Sequence, residues 1–541
     1  MKTLQGQGVS PGIAFGQLCF YKQTVSDQLE RRPIKDAAAE LQLLDSAIEK
    51  VGKELDSLFE KTKEELDAEA ADVFLTHKMM LEDPDFQESI KEKITKEHIC
   101  AASAVAETQK EFSELFAACE DQYMQERAAD IKDISYQLIR ALNGAEEENL
   151  TFGDVPVILA AEDLSPSETA KLDLANVKAF VTVKGAATSH TAIFARTMGL
   201  PAVVALTQLT EAYNGRFIAV DGAAGTVYCE PDEKELEALS KKQHRLQQER
   251  AKDERYRGRG TQTKSGHKIK LYANAGGPEE IKSAVKNDAE GIGLLRSEFL
   301  YLQSSTYPTE ENLYQAYRGA AERMQGKQVI IRTLDIGADK QADYFELEKE
   351  ENPAMGLRAI RLCLKRPEIL KTQLRAIYRA SAYGKLAIMF PMIISLGELR
   401  AAKKLAASVR KELREAQIPF AEEVPVGIMI ETPAAALLSD ALAKECDFFS
   451  VGTNDLTQYT LALDRQNEAV SCFDDPQHEA VLRLIQIAAA NAHAAGIWIG
   501  ICGELGADQK LLPKFVRMGI DELSVTASNI LPLRAAIAEL E

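Results

Sequence analysis

Residues 447–465 read DFFSVGTNDLTQYTLALDR. The run Phe448-Phe-Ser-Val451 is almost wholly apolar, Gly452 breaks it, and Asn454-Asp455 leads into a helix-like segment. A strand that is apolar throughout is covered on both faces, as in a parallel sheet flanked by helices. The same unit recurs from residue 261 to the end. IKLYANAG, GIGLLR, VIIRTLDIG, LAIMFPMI, VGIMIETP, FFSVGTND, IWIGICGE and ELSVT alternate with amphipathic stretches. A doubly wound open sheet is the alternative, but length and strand count favour a closed (β/α)8 barrel over 261–541.

Upstream the texture changes. Residues 231–260 are nearly all charged or Gln, with Leu236, Leu239 and Leu246 as the few anchors, and they end in Arg-Gly-Arg-Gly. That pattern predicts an exposed linker helix followed by a flexible hinge. Residues 23–144 almost lack glycine and proline, and apolar residues recur three and four apart, as in Leu41, Leu44, Ile48, Val51 and Leu55. This is the signature of a helical bundle. Strand-and-turn patterns flank it on both sides, in 1–22 and in 145–230. The bundle therefore reads as an insertion into one small α/β domain, and the fold class as multidomain α/β.

Composition bounds the function. A chain of 541 residues is expected to divide into about three domains. The formal net charge of −19 argues against nucleic acid as a partner, because a phosphate backbone requires a basic surface. There is no apolar run of about 18 residues and no signal-peptide pattern at the start, so the expected location is cytoplasmic, without membrane insertion. The eight cysteines are scattered without a C-x-x-C pair, which speaks against a disulfide framework or structural zinc.

Polar residues in the C-terminal half follow the strands, where barrel enzymes place their sites. Arg296 follows GIGLL, Arg332 and Asp335 follow VII, and Lys340 comes a few residues later. Glu431 follows VGIMI, Asn454 and Asp455 follow FFSVGT, Arg465 follows TLALD, and Cys502 and Glu504 end IWIGICGE. Arginine forks match carboxylate and phosphate oxygens. Glu431 and Asp455, on neighbouring strand ends, would repel unless a cation lay between them, and hard oxygen donors suggest Mg²⁺ bridging to a substrate phosphate. The pocket suits a small phosphorylated acid. Cys502, between Gly500 and Gly503 with one residue on the near side, is either a proton-transfer group or a small core hydrophobe.

A second stretch carries a displayed histidine: Lys184-Gly-Ala-Ala-Thr-Ser-His-Thr-Ala-Ile-Phe-Ala-Arg196. Gly185, Ala186 and Ala187 clear space for a large anionic reactant. Thr188, Ser189 and Thr191 offer hydroxyls, and the helix start offers N–H groups for phosphate oxygens. His190 then reads as a phosphate acceptor, with a capping or core role as the alternative. Metal binding does not fit, since positions i±3 and i±4 hold Ala186, Ala187, Ile193 and Phe194.

Taken together, the chain resembles the enzyme I family of the bacterial phosphotransferase system, the phosphoenolpyruvate–protein phosphotransferases among the PEP-utilising enzymes. The resemblance rests on GVSPGIAFG, HKMMLEDP (77–84), YMQERAADIKD (123–133), DLSPSETA (163–170), ATSHTAIFAR, ENPAMGLRAIR (351–361), 447–465 and CGEL. It implies that phosphoenolpyruvate phosphorylates His190. It also implies that Arg296, Arg332, Arg358, Arg465, Asn454 and Lys340 bind the substrate, and that Glu431 and Asp455 hold Mg²⁺. Cys502 would protonate C3 of the enolate as pyruvate forms. By the same resemblance, 1–22 with 145–230 is a swivelling phosphohistidine domain, and 23–144 docks the carrier HPr, the next acceptor in sugar uptake. The barrel would bind substrate and form a homodimer.

The chain departs from the family pattern in places. Relatives read GGRTSH where Ala186 and Ala187 stand here, and Gln466 replaces a glycine. A pyruvate phosphate dikinase or phosphoenolpyruvate synthase would need a nucleotide-binding domain, and no P-loop is present. A non-catalytic regulatory paralogue would have no need to retain Arg296, Arg332, Glu431, Asp455 and Cys502 together.

Overall fold

Three short strands open the chain: β1 (Lys2–Gln5), β2 (Gln7–Ser10) and β3 (Ile13–Tyr21). The structure, a computed structural model, describes all residues except 1, 22–30, 66–67, 118–121, 145–154, 173–175, 187–188, 303, 305, 338–342, 466, 468–469, 471–472 and 474. Five helices follow: α1 (Ala37–Glu65), α2 (Ala68–Leu81), α3 (Pro84–Glu97), α4 (Ala101–Ala117) and α5 (Gln122–Leu142). The boundary between α2 and α3 is written in the sequence Glu82-Asp-Pro84. Pro84 occupies the first turn of α3, and the Asp83 carboxylate accepts hydrogen bonds from the N–H groups of Asp85 and Phe86. Leu44, Val51, Leu55, Phe74, Phe86, Ile90, Ile134 and Leu138 fill the centre of the bundle.

The chain then returns to the first sheet through β4 (Val157–Ala161), α6 (Pro166–Ala170), β5 (Val177–Thr182), α7 (His190–Met198), β6 (Ala202–Val204), β7 (Phe217–Asp221) and β8 (Thr226–Cys229). The order is β1-β8-β7-β3-β4-β5-β6-β2. β3 pairs in parallel with β4, from Gln17 opposite Val157 to Tyr21 opposite Ala161, so the sheet closes across the inserted bundle. Both faces of the sheet are buried, one by residues such as Ile158, Ala179 and Val203, the other by Leu159, Phe180 and Ala195.

The long α8 (Glu233–Glu254) follows. Its first half belongs to the α/β domain: Leu239 packs with Ile13 and Ala219, Lys242 pairs with Asp221 at 2.5 Å, and Gln243 donates to the Ile13 carbonyl at 2.7 Å. By compactness the chain divides at Gln248/Glu249, within this helix. The segment after it, expected as a flexible hinge, is tied into the C-terminal unit. Gly258 N–H donates to Asp288 at 2.7 Å, Thr261 donates to Glu290 at 2.8 Å, and the fully buried Arg534 bonds Asp288 and the Tyr256 carbonyl.

The second unit is the (β/α)8 barrel. Its strands are β9 (Lys270–Ala275), β10 (Gly291–Leu295), β11 (Gln328–Arg332), β12 (Leu386–Phe390), β13 (Val426–Ile430), β14 (Phe448–Val451), β15 (Trp498–Ile501) and β16 (Glu522–Val525). All pairings are parallel, and β16 closes onto β9 with Val525 opposite Ala273. Alternate residues explain the unbroken apolar runs. Leu294, Ile330, Met389, Met429 and Phe448 line the barrel interior, while Ile331, Ile388, Ile428, Ile430 and Phe449 pack outward under the helices. Among the described residues no helix is long and apolar enough to cross a membrane.

Candidate active site

The carboxyl ends of neighbouring strands bring together several of the expected residues of the barrel. Arg332 closes β11 and is buried. Its Nη2 lies 3.0 Å from Glu298 Oε1, and its Nη1 lies 3.1 Å from Asp335 Oδ2. Arg358 is also buried. Its Nε and Nη2 donate to Asp335 Oδ1 at 3.2 and 2.8 Å, and its Nη1 donates to the Tyr459 hydroxyl at 3.3 Å. Burial opposes both guanidinium charges, but the carboxylates outweigh it: Glu298 and Asp335 foremost for Arg332, Asp335 and Asp455 for Arg358. Both groups are pushed above the ordinary arginine value. Two permanent, oriented cations therefore stand at the mouth of the barrel.

Glu431 follows β13, and Asp455 lies in the first turn of the helix Thr453–Leu461 after β14. Ile430 pairs with Val451, which puts the two strand ends side by side. Glu431 Oε1 accepts from the Met392 N–H at 2.5 Å, whereas Glu431 Oε2 and Asp455 Oδ1 are buried without a hydrogen bond. Burial first, then the charges of Asp455 and Asp335, push the Glu431 carboxyl up to about 8. Two hard oxygens that share a buried site and have no donors suit a divalent cation completed by phosphate oxygens and water. Among the described residues there is no cluster of three or more His, Cys, Asp or Glu side chains placed to hold a metal ion.

Asn454 and Glu504 clasp each other: Asn454 Nδ2 donates to Glu504 Oε1 at 3.1 Å, and the Glu504 N–H donates to Asn454 Oδ1 at 3.3 Å. Gly503 permits the approach, since a Cβ there would fall 1.8 Å from Thr453 Oγ1. Cys502 is buried just past β15 with its Sγ 3.5 Å from the Val451 carbonyl, and burial pushes its thiol up to about 12. It belongs to the interior barrel layer with Tyr272, Met429 and Phe448, so the core-hydrophobe description also holds for its position. Arg465 is exposed, with Nη2 3.8 Å from Asp455 Oδ1. Arg296 is exposed past β10, held by its backbone N–H to the Ala275 carbonyl at 2.8 Å. Lys340 and Gln466 lie outside the described residues.

Glu298 was not anticipated from sequence. It sits in the first turn of the helix after β10 and ties Arg332 to the Asp335 N–H, which donates to the same oxygen at 3.1 Å. Ser297 adds a bond to the Arg332 carbonyl at 2.9 Å.

In the other unit His190 is the first residue of α7 and is exposed. Ser189 caps the helix by accepting from the Ala192 N–H at 3.3 Å, and Gly199 ends it in the left-handed region. Gly185 has φ +105°, a conformation that side chains disfavour, and it turns the chain out of β5 toward the histidine. His190 thus stands at the amino end of a helix, the end that favours anions. Ala187 and Thr188 lie outside the described residues.

An α/β domain that displays a histidine, in a chain whose barrel carries buried arginines and paired hard-oxygen donors, defines a class of barrel enzymes that handle phosphorylated acids. Family models for PEP-utilising enzymes match in three parts: the N-terminal model over 5–127, the mobile domain over 153–225 and the PEP-binding domain over 250–541. The phosphoenolpyruvate-protein phosphotransferase of Priestia megaterium is 41% identical over 540 residues, covering 100% of this chain and 94% of the relative. That of Bacillus subtilis (strain 168) is 41% identical over 542 residues, covering 100% and 95%. A solution structure of an Enzyme I protein is 32% identical, with a TM-score of 0.40, over 45% of this chain and 99% of that one. The chain belongs to the PEP-utilising enzymes, within the phosphoenolpyruvate-protein phosphotransferase family.

Proposed function

We propose that the chain transfers the phosphoryl group of phosphoenolpyruvate to His190 and then to the histidine of the phosphocarrier HPr, releasing pyruvate. The observation that carries the reading is the convergence of Arg332, Arg358, Glu431 and Asp455 at one end of the barrel. Arg332 and Arg358, held by Glu298 and Asp335, orient the phosphate and carboxylate of the substrate. Arg296, exposed past β10, and Arg465, exposed beyond the helix after β14 and 3.8 Å from Asp455, complete the anion clamp, and Lys340 is assigned to it by resemblance. Asn454, fixed by Glu504, adds a neutral contact.

Glu431 and Asp455 would hold Mg²⁺, which would supply charge stabilisation for the phosphate and the departing enolate. The imidazole nitrogen of His190 forms an N–P bond as the P–O bond of the substrate breaks. The enolate C3 then takes the Cys502 thiol proton, giving pyruvate and a thiolate that solvent reprotonates. A thiol whose ordinary value is raised stays protonated at neutral pH, as an acid must. Most of the catalysis is positioning and charge stabilisation.

The acceptor must visit the barrel and then the carrier, so residues 1–22 with 145–230 serve as the mobile phosphohistidine domain. Residues 23–144 dock HPr, 231–260 connect, and 261–541 bind substrate and form a homodimer. Exposed Leu75 and Met79 on α2 suit carrier docking, and exposed Met355, Leu437 and Leu438 suit a dimer contact. The reaction is assigned to the cytoplasm. The test is incubation with phosphate-labelled phosphoenolpyruvate and Mg²⁺, followed by HPr. Label should enter the protein with stoichiometric pyruvate and leave it for HPr. Retention of all label on the protein would overturn the second step.

A further inference from the structure

His77 of α2 is fully buried, and the proposed chemistry makes no use of it. Its Nε2 lies 3.1 Å from Asp130 Oδ1, and its Nδ1 lies 3.7 Å from Asp133 Oδ2. Both carboxylates project from one face of α5, three residues apart. Nε2 makes the ring's hydrogen bond, to Asp130, while Nδ1 is buried without one and faces Asp133 at ion-pair distance only, so the ring is held against both buried carboxylates.

From these carboxylates the polar contacts run toward the phosphohistidine. Asp133 accepts from Ser165 Oγ at 3.1 Å and from the Ser167 N–H at 3.2 Å, and Gln137 donates to Ser167 Oγ at 2.7 Å. Ser165 is the N-cap of α6 and forms a capping box with Glu168. The neighbouring Leu164 carbonyl accepts from Thr191 Oγ1 at 3.3 Å, and Thr191 is the residue after His190. Asp130 accepts from Arg127 Nη1 at 3.1 Å. Burial alone would raise the Asp130 carboxyl, but the hydrogen bond and charge of His77, with Arg127 and His190, hold it below the usual range. On the face of α2 opposite His77, Leu75 and Met79 are exposed.

We propose that His77 is a positioning residue for phosphoryl transfer to the carrier. It joins α2, whose outer face the carrier meets, to α5, to the cap of α6 and so to the start of α7. Without it the two carboxylates separate, the α6 cap loosens, and Thr191 no longer fixes the angle at which His190 is presented. The inference rests on the proposed function and concerns its second step alone.

The experiment compares wild type, His77→Gln, Asp133→Asn and the double variant in the full-length protein. Two rates are measured: labelling by phosphoenolpyruvate, and discharge of the label to HPr over a range of HPr concentrations. Each single variant should slow maximal discharge about tenfold or more, with the HPr concentration for half-maximal rate within about twofold of wild type. The double variant should be no slower than the worse single, since both break one network. Labelling by phosphoenolpyruvate should be unchanged. Discharge at the wild-type rate, losses that multiply, or equal slowing of both steps would overturn the proposal. If His77→Gln lowers the melting temperature of the N-terminal unit, Asp133→Asn, which preserves shape, decides the matter. Wild-type protein that takes no label at all would overturn the proposed function, and this inference with it.

Discussion

Arg358 binds one oxygen of Asp335 through two nitrogens, Nε at 3.2 Å and Nη2 at 2.8 Å, while Arg332 Nη1 lies 3.1 Å from the other oxygen. One buried carboxylate therefore sets the direction of both arginine forks. Asp335→Asn keeps the volume and removes the charge. Its kcat/KM for phosphoenolpyruvate should fall about tenfold to a hundredfold, mostly through misaligned substrate. Steady-state pyruvate release checks this, alongside circular dichroism to establish that the barrel is folded. Unchanged kcat/KM would remove Asp335 from the positioning role.

The two oxygens without donors, Glu431 Oε2 and Asp455 Oδ1, give a metal prediction. Chelation should stop labelling by phosphoenolpyruvate in the wild type. In Glu431→Gln and in Asp455→Asn the Mg²⁺ concentration for half-maximal labelling should rise at least about tenfold. A Mg²⁺ titration of the initial labelling rate reads this directly. Identical titration curves for all three proteins would place the metal elsewhere.

For Cys502, with its thiol pushed up to about 12 by burial, the acid role predicts a particular pH profile. Pyruvate formation should show no loss attributable to thiol ionisation as pH rises from 6 to about 9, because the group remains protonated throughout. Cys502→Ser should leave the barrel folded and slow pyruvate formation by a factor on the order of 10². Wild-type turnover in the serine variant would leave Cys502 as packing alone.

Glu522 stands in the barrel interior with both oxygens buried and without a hydrogen bond. Burial, opposed by the Lys270 charge and reinforced by Asp521, holds its carboxyl well above the usual range. The folded protein therefore retains a proton that the unfolded chain releases above its ordinary value of about 4.3. Stability is full below that value and declines as pH rises toward the folded one. Glu522→Gln should flatten that dependence and stabilise the barrel unit at pH 8, by roughly 1–3 kcal/mol. Denaturant melts of both proteins at pH 5 and pH 8 measure it, and equal pH slopes would contradict it.

Much of this architecture was legible in the chain. The barrel was readable because strands such as Phe448–Val451 are apolar on both sides, and the candidate site because Arg332 ends one such strand while Glu431 and Asp455 come soon after two others. The inserted bundle showed as a loss of glycine and proline between two strand-rich pieces. Residues whose role depends on distant partners were not legible. Glu298 looks like any first-turn helix carboxylate until β10 and β11 lie side by side and bring it to Arg332. His77 gives no local sign of Asp130, its partner 53 residues away on α5. Arg534, near the C-terminus, fixes the segment after α8 that composition alone marked as flexible.

The central claim is that His190 is the phosphate acceptor. The direct measurement is incubation of wild-type protein and His190→Ala with phosphate-labelled phosphoenolpyruvate and Mg²⁺, with bound label assayed after acid and after base. The account predicts acid-labile, base-stable label on the wild type and none on His190→Ala. Label of the same stability on the alanine variant would contradict it.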